Sequence, residues 1–172
     1  ICPSKGNATE WLAMHQTAHA LSIPSNATIL FGHIETYAHR VDHMSRLRSL
    51  QEKTNGFKAF IPLKYKSRNN DLDHINEVSN IEVLRNFAVS RIFLDNFPHI
   101  KAYWPMLGKS LTQIALSFGV DDIDGTINDS TAIYSRAGAE ETNPTMTPTE
   151  MNAIIKNAGF IPTERNSVYK SI

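Results

Sequence analysis

The sequence predicts an α/β fold built on a parallel sheet, and three observations carry that expectation. Apolar runs of strand character alternate with stretches of helical spacing, each of the four candidate strands is followed by a helix, and capping and stop residues stand at the joints. Strand–helix–strand units close by right-handed crossovers, so four of them make about half of an eight-stranded barrel with outer helices.

Each element has its own signal. Asn7 with Glu10 forms a capping arrangement, and Trp11, Ala18 and Leu21 recur at helical spacing with Leu12 and His15 beside them. Asn26 to His33 reads as a buried strand. Val41, Met44, Leu47 and Leu50 make one stripe of a second helix that Gly56 is placed to stop, and Phe57 to Leu63 reads as the next strand. Lys64 to Glu77 is polar and without period, a long loop at a strand's carboxyl end, where length favours function although solvated surface explains the composition equally. Ser79 and Glu82 open a third helix through Leu84, Ala88 and Ile92; Pro98 breaks it, and His99 to Trp104 reads as strand. Leu111, Ile114, Ala115 and Phe118 mark a shorter helix ended by Gly119, before a short strand from Val120 to Asp124. Thr147, Pro148 and Glu150 begin a last helix that Gly159 ends.

Composition narrows the partners. The 172 residues suffice for one domain with a hydrophobic core, and 17 Lys plus Arg against 17 Asp plus Glu leave no cationic excess for phosphates, so no nucleic acid is expected. No run approaches the roughly 20 apolar residues of a membrane span, and the start lacks a secretory signal, so no membrane and a soluble, cytoplasmic location are expected by default. Cys2 is the single cysteine, which rules out an internal disulfide and a cluster site within the chain, since clusters need several thiolates. The opening at an apparent strand end, without an initiator methionine, reads as a fragment of something longer. An isolated half-barrel leaves edge strands uncovered, so the chain is expected to pair with a missing N-terminal half-barrel, form a homodimer, or aggregate.

Several residues could carry chemistry. His33 and Glu35 stand two apart, on one side of the chain if the strand persists, which sets an imidazole beside a carboxylate at the mouth of a barrel. Such a pair can grip a carboxylate substrate or move a proton, and it can equally be a hydrogen-bonded histidine with Glu35 capping the next helix. Asn26 and Thr28 precede them on the same strand, where short polar groups need partners. Tyr65 and Lys64 end the second strand; Lys64 either meets an anionic substrate or is solvated. Trp104 follows Tyr103 at the third strand's end, to stack on a ligand ring or simply fill the core. Asp121, Asp122 and Asp124 precede Gly125-Thr126 without the rest of a calcium loop; Asp124 could bind ribose hydroxyls, or Asp122 could cap a helix. His15 with His19, and His39 with His43, have zinc-compatible spacing but lack a third ligand, so no metal is expected.

Taken in order, Ser25–Thr36 with its Gly32-His33-Ile34-Glu35 cluster, Phe60-Ile-Pro-Leu-Lys-Tyr65, Leu94–Trp104 and Asp121–Thr126 resemble the second half of radical S-adenosylmethionine enzymes, most closely the aminofutalosine synthase family of menaquinone biosynthesis. The resemblance implies that residues 1–172 are a single domain, the C-terminal half of a TIM-like radical S-adenosylmethionine barrel with a C-terminal helical extension. It implies a transferase that joins the adenosyl group of S-adenosylmethionine to carboxyvinyloxybenzoate, using a 4Fe-4S iron-sulfur cluster whose ligands lie outside this chain, so that the isolated chain is inactive. His33 and Glu35 become the expected catalytic pair, Asn26, Thr28 and Asp124 the contacts to S-adenosylmethionine, and Tyr65 and Trp104 the substrate contacts. The dehypoxanthine futalosine cyclase and the deazaflavin cofactor synthase subunits share the frame and are the runners-up; a noncatalytic interaction or folding domain is the reading of another class. The chain departs from these relatives at Lys66-Ser67, where a His-Pro pair is usual, at Asn128-Asp129, where a Glu-Glu pair is usual, and by one extra residue before Ala137-Gly138-Ala139.

Overall fold

A computed structural model describes residues 5–127, 133–139 and 144–172. Cys2 and the Asn128-Asp129 pair lie outside the described residues. Strands β1 (Ser25–Phe31), β2 (Phe57–Lys64), β3 (His99–Ala102) and β4 (Asp122–Ile123) lie parallel and side by side in chain order. Helix α1 (Ala8–Ala20) precedes them; α2 (Tyr37–Thr54) and α3 (Asn80–Phe93) join successive strands. The short α4 (Trp104–Leu107) and α5 (Lys109–Ala115), with a tight turn at Leu116–Phe118, lead into β4; α6 (Ile133–Arg136) and α7 (Pro148–Asn157) follow. This is the expected α/β fold, half of a TIM-like barrel. Among the described residues no helix is long and apolar enough to cross a membrane.

The caps show how the boundaries are set. Asn7 and Glu10 form the expected box on α1, and Thr147 with Glu150 repeats it on α7. The start of α2 is capped by Thr36 with His39 as its partner, and not by Glu35. Its end is made by Asn55, which takes the left-handed conformation (φ 49°), one residue before the stop expected at Gly56. Gly56 serves the neighbouring element instead: a Cβ there would stand 2.1 Å from the His19 ring, so α1 packs on β2 only over a bare backbone. At α3, Ser79 caps the Glu82 amide, but the Glu82 carboxylate has left the box for Arg40.

Alternation and register divide the sheet into two faces. Ala27 and Phe31 of β1, Phe60 of β2, Ile100 of β3 and Ile123 of β4 are buried on the side covered by Leu47 of α2, Phe87 of α3 and Leu111 of α5. On the other face, Asn26 pairs with Ala59 and Ala59 with His99, Thr28 with Ile61, Leu30 with Leu63, and Lys101 with Asp122. Asn26, Thr28 and Leu30 are exposed there, so this inner face is open along β1.

β1 is also the sheet's first edge. Ser25 and Phe31 bond to β2, so the alternating residues Asn26, Thr28 and Leu30 turn their peptide groups outward. Two of those carbonyls are capped by imidazoles: His43 Nε2 donates to Thr28 O and His33 Nε2 to Leu30 O, both at 3.1 Å.

Helix α1 is held by a hydroxyl–imidazole chain. His15 Nδ1 and His19 Nε2 lie 2.7 and 2.8 Å from Ser25 Oγ, and His19 Nδ1 lies 2.8 Å from Thr54 Oγ1. Burial pushes His15, His19 and His43 below the ordinary histidine value, with the neighbouring His19 adding to the effect on His15. A group with a lowered folded value binds fewer protons folded than unfolded, so its stabilising effect is complete above about pH 6.5 and is lost as pH falls from there through the folded values. Denaturation midpoints are therefore expected to fall between pH 7 and 5, with a smaller fall in a His15→Asn, His19→Asn variant; an identical pH dependence in that variant would contradict the assignment.

Candidate functional site

His33, Glu35, Tyr65 and Asp124 stand just past the carboxyl tips of their strands, where a barrel of this kind places its chemistry, whereas Asn26 lies at the amino end of β1 and Thr28 at its middle. β1 stops at Phe31, short of the expected His33, because Gly32 turns the chain at φ 88° with its Cα against Val78, whose Cγ2 a Cβ would meet at 2.8 Å. His33 and Glu35 thus lie in the turn and not on the strand. They still come together: His33 Nδ1 is 3.3 Å from Glu35 Oε2, and that nitrogen is buried without a hydrogen-bond partner among the described residues.

Glu35 does not cap α2. Its carboxylate accepts the amides of Gly32 (2.6 Å) and His33 (2.8 Å), and Oε1 lies 2.7 Å from a terminal nitrogen of the Arg40 guanidinium. Burial alone would raise its pKa; the two amides and Arg40 outweigh that and hold the carboxyl below its ordinary value. Arg40, only 8% exposed, is shared with Glu82 at 2.8 Å and lies 5.2 and 5.1 Å from the Phe31 and Tyr37 ring centroids. An ionised carboxylate so fully engaged braces the turn, and the free Nδ1 beside it belongs to His33.

At the tip of β2, Tyr65 is 6% exposed, and its ring lies edge-on to His33 at 6.1 Å. Its hydroxyl is 2.7 Å from both Asn70 Oδ1 and Leu72 O, pinning the loop that follows. Lys64 and Lys66 share Glu77 at 3.0 and 3.2 Å; burial raises the Glu77 carboxyl, but the two ammonium groups hold it below its ordinary value. Lys64 is accordingly buried and paired, not solvated. Trp104 corrects the expectation of a strand-end aromatic facing the cavity. β3 ends at Ala102, Trp104 opens α4 fully buried, and its Nε1–H donates to Gly125 O at 3.1 Å, so it supports the β4 tip from within the core.

Asn26 and Thr28 stand on the open inner face, and their side chains have no hydrogen-bond partner among the described residues. Asp124 is held by Lys101 at 3.0 Å, and Lys101 also lies 3.4 Å from Asp122. Burial lowers the Lys101 pKa, yet Tyr169 and the two carboxylates more than reverse this, and the ammonium stays charged above its ordinary range. Arg40, Lys101, Arg165 and Tyr169 were not singled out from sequence. The pairing of Lys101 with Asp122 follows from strand register, while the contacts of Arg40 with Glu82 and of Arg165 and Tyr169 with Asp122 span 42 to 47 residues, a separation that no local period reports. The histidine pairs at zinc spacing meet hydroxyls or backbone groups, and no group of three His, Cys, Asp or Glu suited to a metal occurs among the described residues.

Over its full length the chain is 45% identical to an aminodeoxyfutalosine synthase from Thermus thermophilus, covering 47% of that protein. It is 36% identical to a cyclic dehypoxanthine futalosine synthase from Streptomyces coelicolor, covering all of this chain and 42% of that one. It is 38% identical to a 5-amino-6-(D-ribitylamino)uracil–L-tyrosine 4-hydroxyphenyl transferase from Methanocaldococcus jannaschii, covering 99% and 48%. The chain thus spans about half the length of the curated relatives it matches. Residues 54–172, from the end of α2 through every later strand and the C-terminal turn, match the family described as the CofH/MqnC C-terminal region, and the chain belongs to that family.

Proposed function

We propose that this chain is the C-terminal half-barrel of a radical S-adenosylmethionine transferase that joins the adenosyl group to carboxyvinyloxybenzoate, giving aminofutalosine for menaquinone biosynthesis in the cytoplasm. The observation that carries the choice among related activities is the 45% identity over the whole chain to an aminodeoxyfutalosine synthase, against 36% and 38% for the other two.

The residues present fit the two implied groups unequally. With one cysteine in 172 residues, the chain does not hold an iron-sulfur cluster, and no step is assigned to one here. S-adenosylmethionine fits better: Asn26 and Thr28 offer unpartnered polar groups on an open face, and Asp124 offers a charged acceptor near the β4 tip. When bound, it supplies the adenosyl group. In this reading Asn26 and Thr28 hydrogen-bond the nucleoside, Asp124 accepts from the ribose hydroxyls, and His33 meets the substrate carboxylate or moves a proton through Nδ1. Glu35 sets the His33 turn, and Tyr65 fastens the loop over the cavity. Trp104 acts from beneath. The missing N-terminal half supplies the other wall.

The full-length protein, given S-adenosylmethionine and carboxyvinyloxybenzoate under anaerobic reducing conditions, is expected to release aminofutalosine, detected by mass spectrometry. Turnover of dehypoxanthine futalosine instead would move the assignment to the cyclase.

A further inference from the structure

We propose that the C-terminal turn, through Arg165 and Tyr169, is a latch that positions the Asp124 carboxylate on the inner face, so that both are positioning residues for binding the adenosyl ligand. The inference rests on the ribose reading of Asp124.

Beyond α7 the chain is not fastened by apolar burial. Ile161 is 91% exposed and Ile172 81%, whereas Arg165, Asn166 and Tyr169 are partly buried. Asn166 builds the turn: its Oδ1 accepts the amides of Val168 and Lys170, both at 3.0 Å, while its own amide donates to Lys170 O at 2.9 Å. This closure puts Tyr169 at φ 62°, a left-handed conformation that a bulky side chain rarely adopts. Strain of that kind persists only where the surroundings impose it. Here it stacks the Tyr169 ring on His99 at 4.8 Å and brings it within 3.9 Å of the Arg165 guanidinium.

Arg165 in turn grips Asp122 with a two-pronged pair, Nε to Oδ1 at 2.7 Å and a terminal nitrogen to Oδ2 at 2.8 Å. Asp122 and Lys101 have side chains only 8% exposed. Because Arg165 neutralises Asp122, the Lys101 ammonium is left nearer Asp124 (3.0 Å) than Asp122 (3.4 Å). Without Arg165, a buried carboxylate lacks its cation, and Lys101 is the charge within reach. Drawing Lys101 toward Asp122 takes the support from Asp124. The turn therefore reaches the ligand side of β4 through a fixed order of charges, Arg165 to Asp122 to Lys101 to Asp124.

The test measures the dissociation constant of S-adenosylmethionine by calorimetry in the full-length protein, with circular dichroism and thermal unfolding alongside. Arg165→Gln is expected to weaken binding about fivefold or more, the low end of coupling between packed sites. Adding Asp122→Asn, which removes the charge that attracts Lys101, is expected to restore binding to within about twofold of the parent. Stranding Asp122 also destabilises the fold, and the second substitution relieves that, so affinity is compared well below the unfolding midpoint of each variant: unchanged binding in folded Arg165→Gln, or a folded double variant that still binds weakly, overturns the proposal. Asp124→Asn separates the two layers: weakened binding there with none in Arg165→Gln removes only the latch, and unchanged binding removes the ribose reading together with it.

Discussion

Replacing Arg40 with methionine is expected to lower the unfolding free energy of the full-length protein by about 3 kcal/mol, the cost of leaving buried Glu35 without its cation while Glu82 keeps only Arg85 at 2.8 Å. Glu35 and Glu82 have side chains only 10% and 13% exposed, and both lean on this guanidinium. Methionine keeps much of the packing on Phe31 and Tyr37, so the loss reports charge and not volume. Arg40→Lys should recover only part, because one ammonium cannot present Nε and two terminal nitrogens to two carboxylates at once. Urea denaturation measures the effect; a methionine variant within about 1 kcal/mol of the parent would show that these carboxylates find water or another cation.

His33→Ala is expected to lower turnover of the full-length enzyme about a hundredfold while changing stability by less than about 1 kcal/mol. The ring donates to the edge carbonyl of Leu30, and its buried Nδ1 has no hydrogen-bond partner among the described residues, so little of the fold depends on it. Glu35→Ala should behave differently, losing stability and turnover together, because the carboxylate holds two backbone amides and Arg40. Rate assays paired with denaturation separate the roles: unchanged kinetics in His33→Ala removes it from the site, and a Glu35→Ala variant of parental stability removes the brace.

The alternation of strands and helices was legible because its signals are local: capping pairs such as Asn7 with Glu10, and stripes such as Met44, Leu47 and Leu50. Boundaries were less so. Gly32 ends β1 through its contact with Val78, which lies 46 positions along the chain, and a sequence period carries no trace of that approach. The nearness of His33 and Glu35 was foreseen, but through strand alternation, whereas a turn braced by two amides brings them together. Of the two readings of Trp104, ligand ring or core, the fold supports the core one, because β3 ends two residues earlier than its pattern suggests and the early helix start buries the ring. The charge cluster of Lys101, Asp122 and Arg165 was invisible for a different reason, since its members become neighbours only once β3 pairs with β4 and the chain's end returns to them.

The imidazoles on the outer rim of β1 have a consequence for how a complete enzyme would switch on. A strand laid alongside would claim the Leu30 and Thr28 acceptors with its own peptide hydrogens, evicting both rings. His33 would then be released from its tether at the moment the cavity gained its opposite wall. Closure of the barrel and release of the His33 ring would be one event, and a lone half would keep that ring tethered.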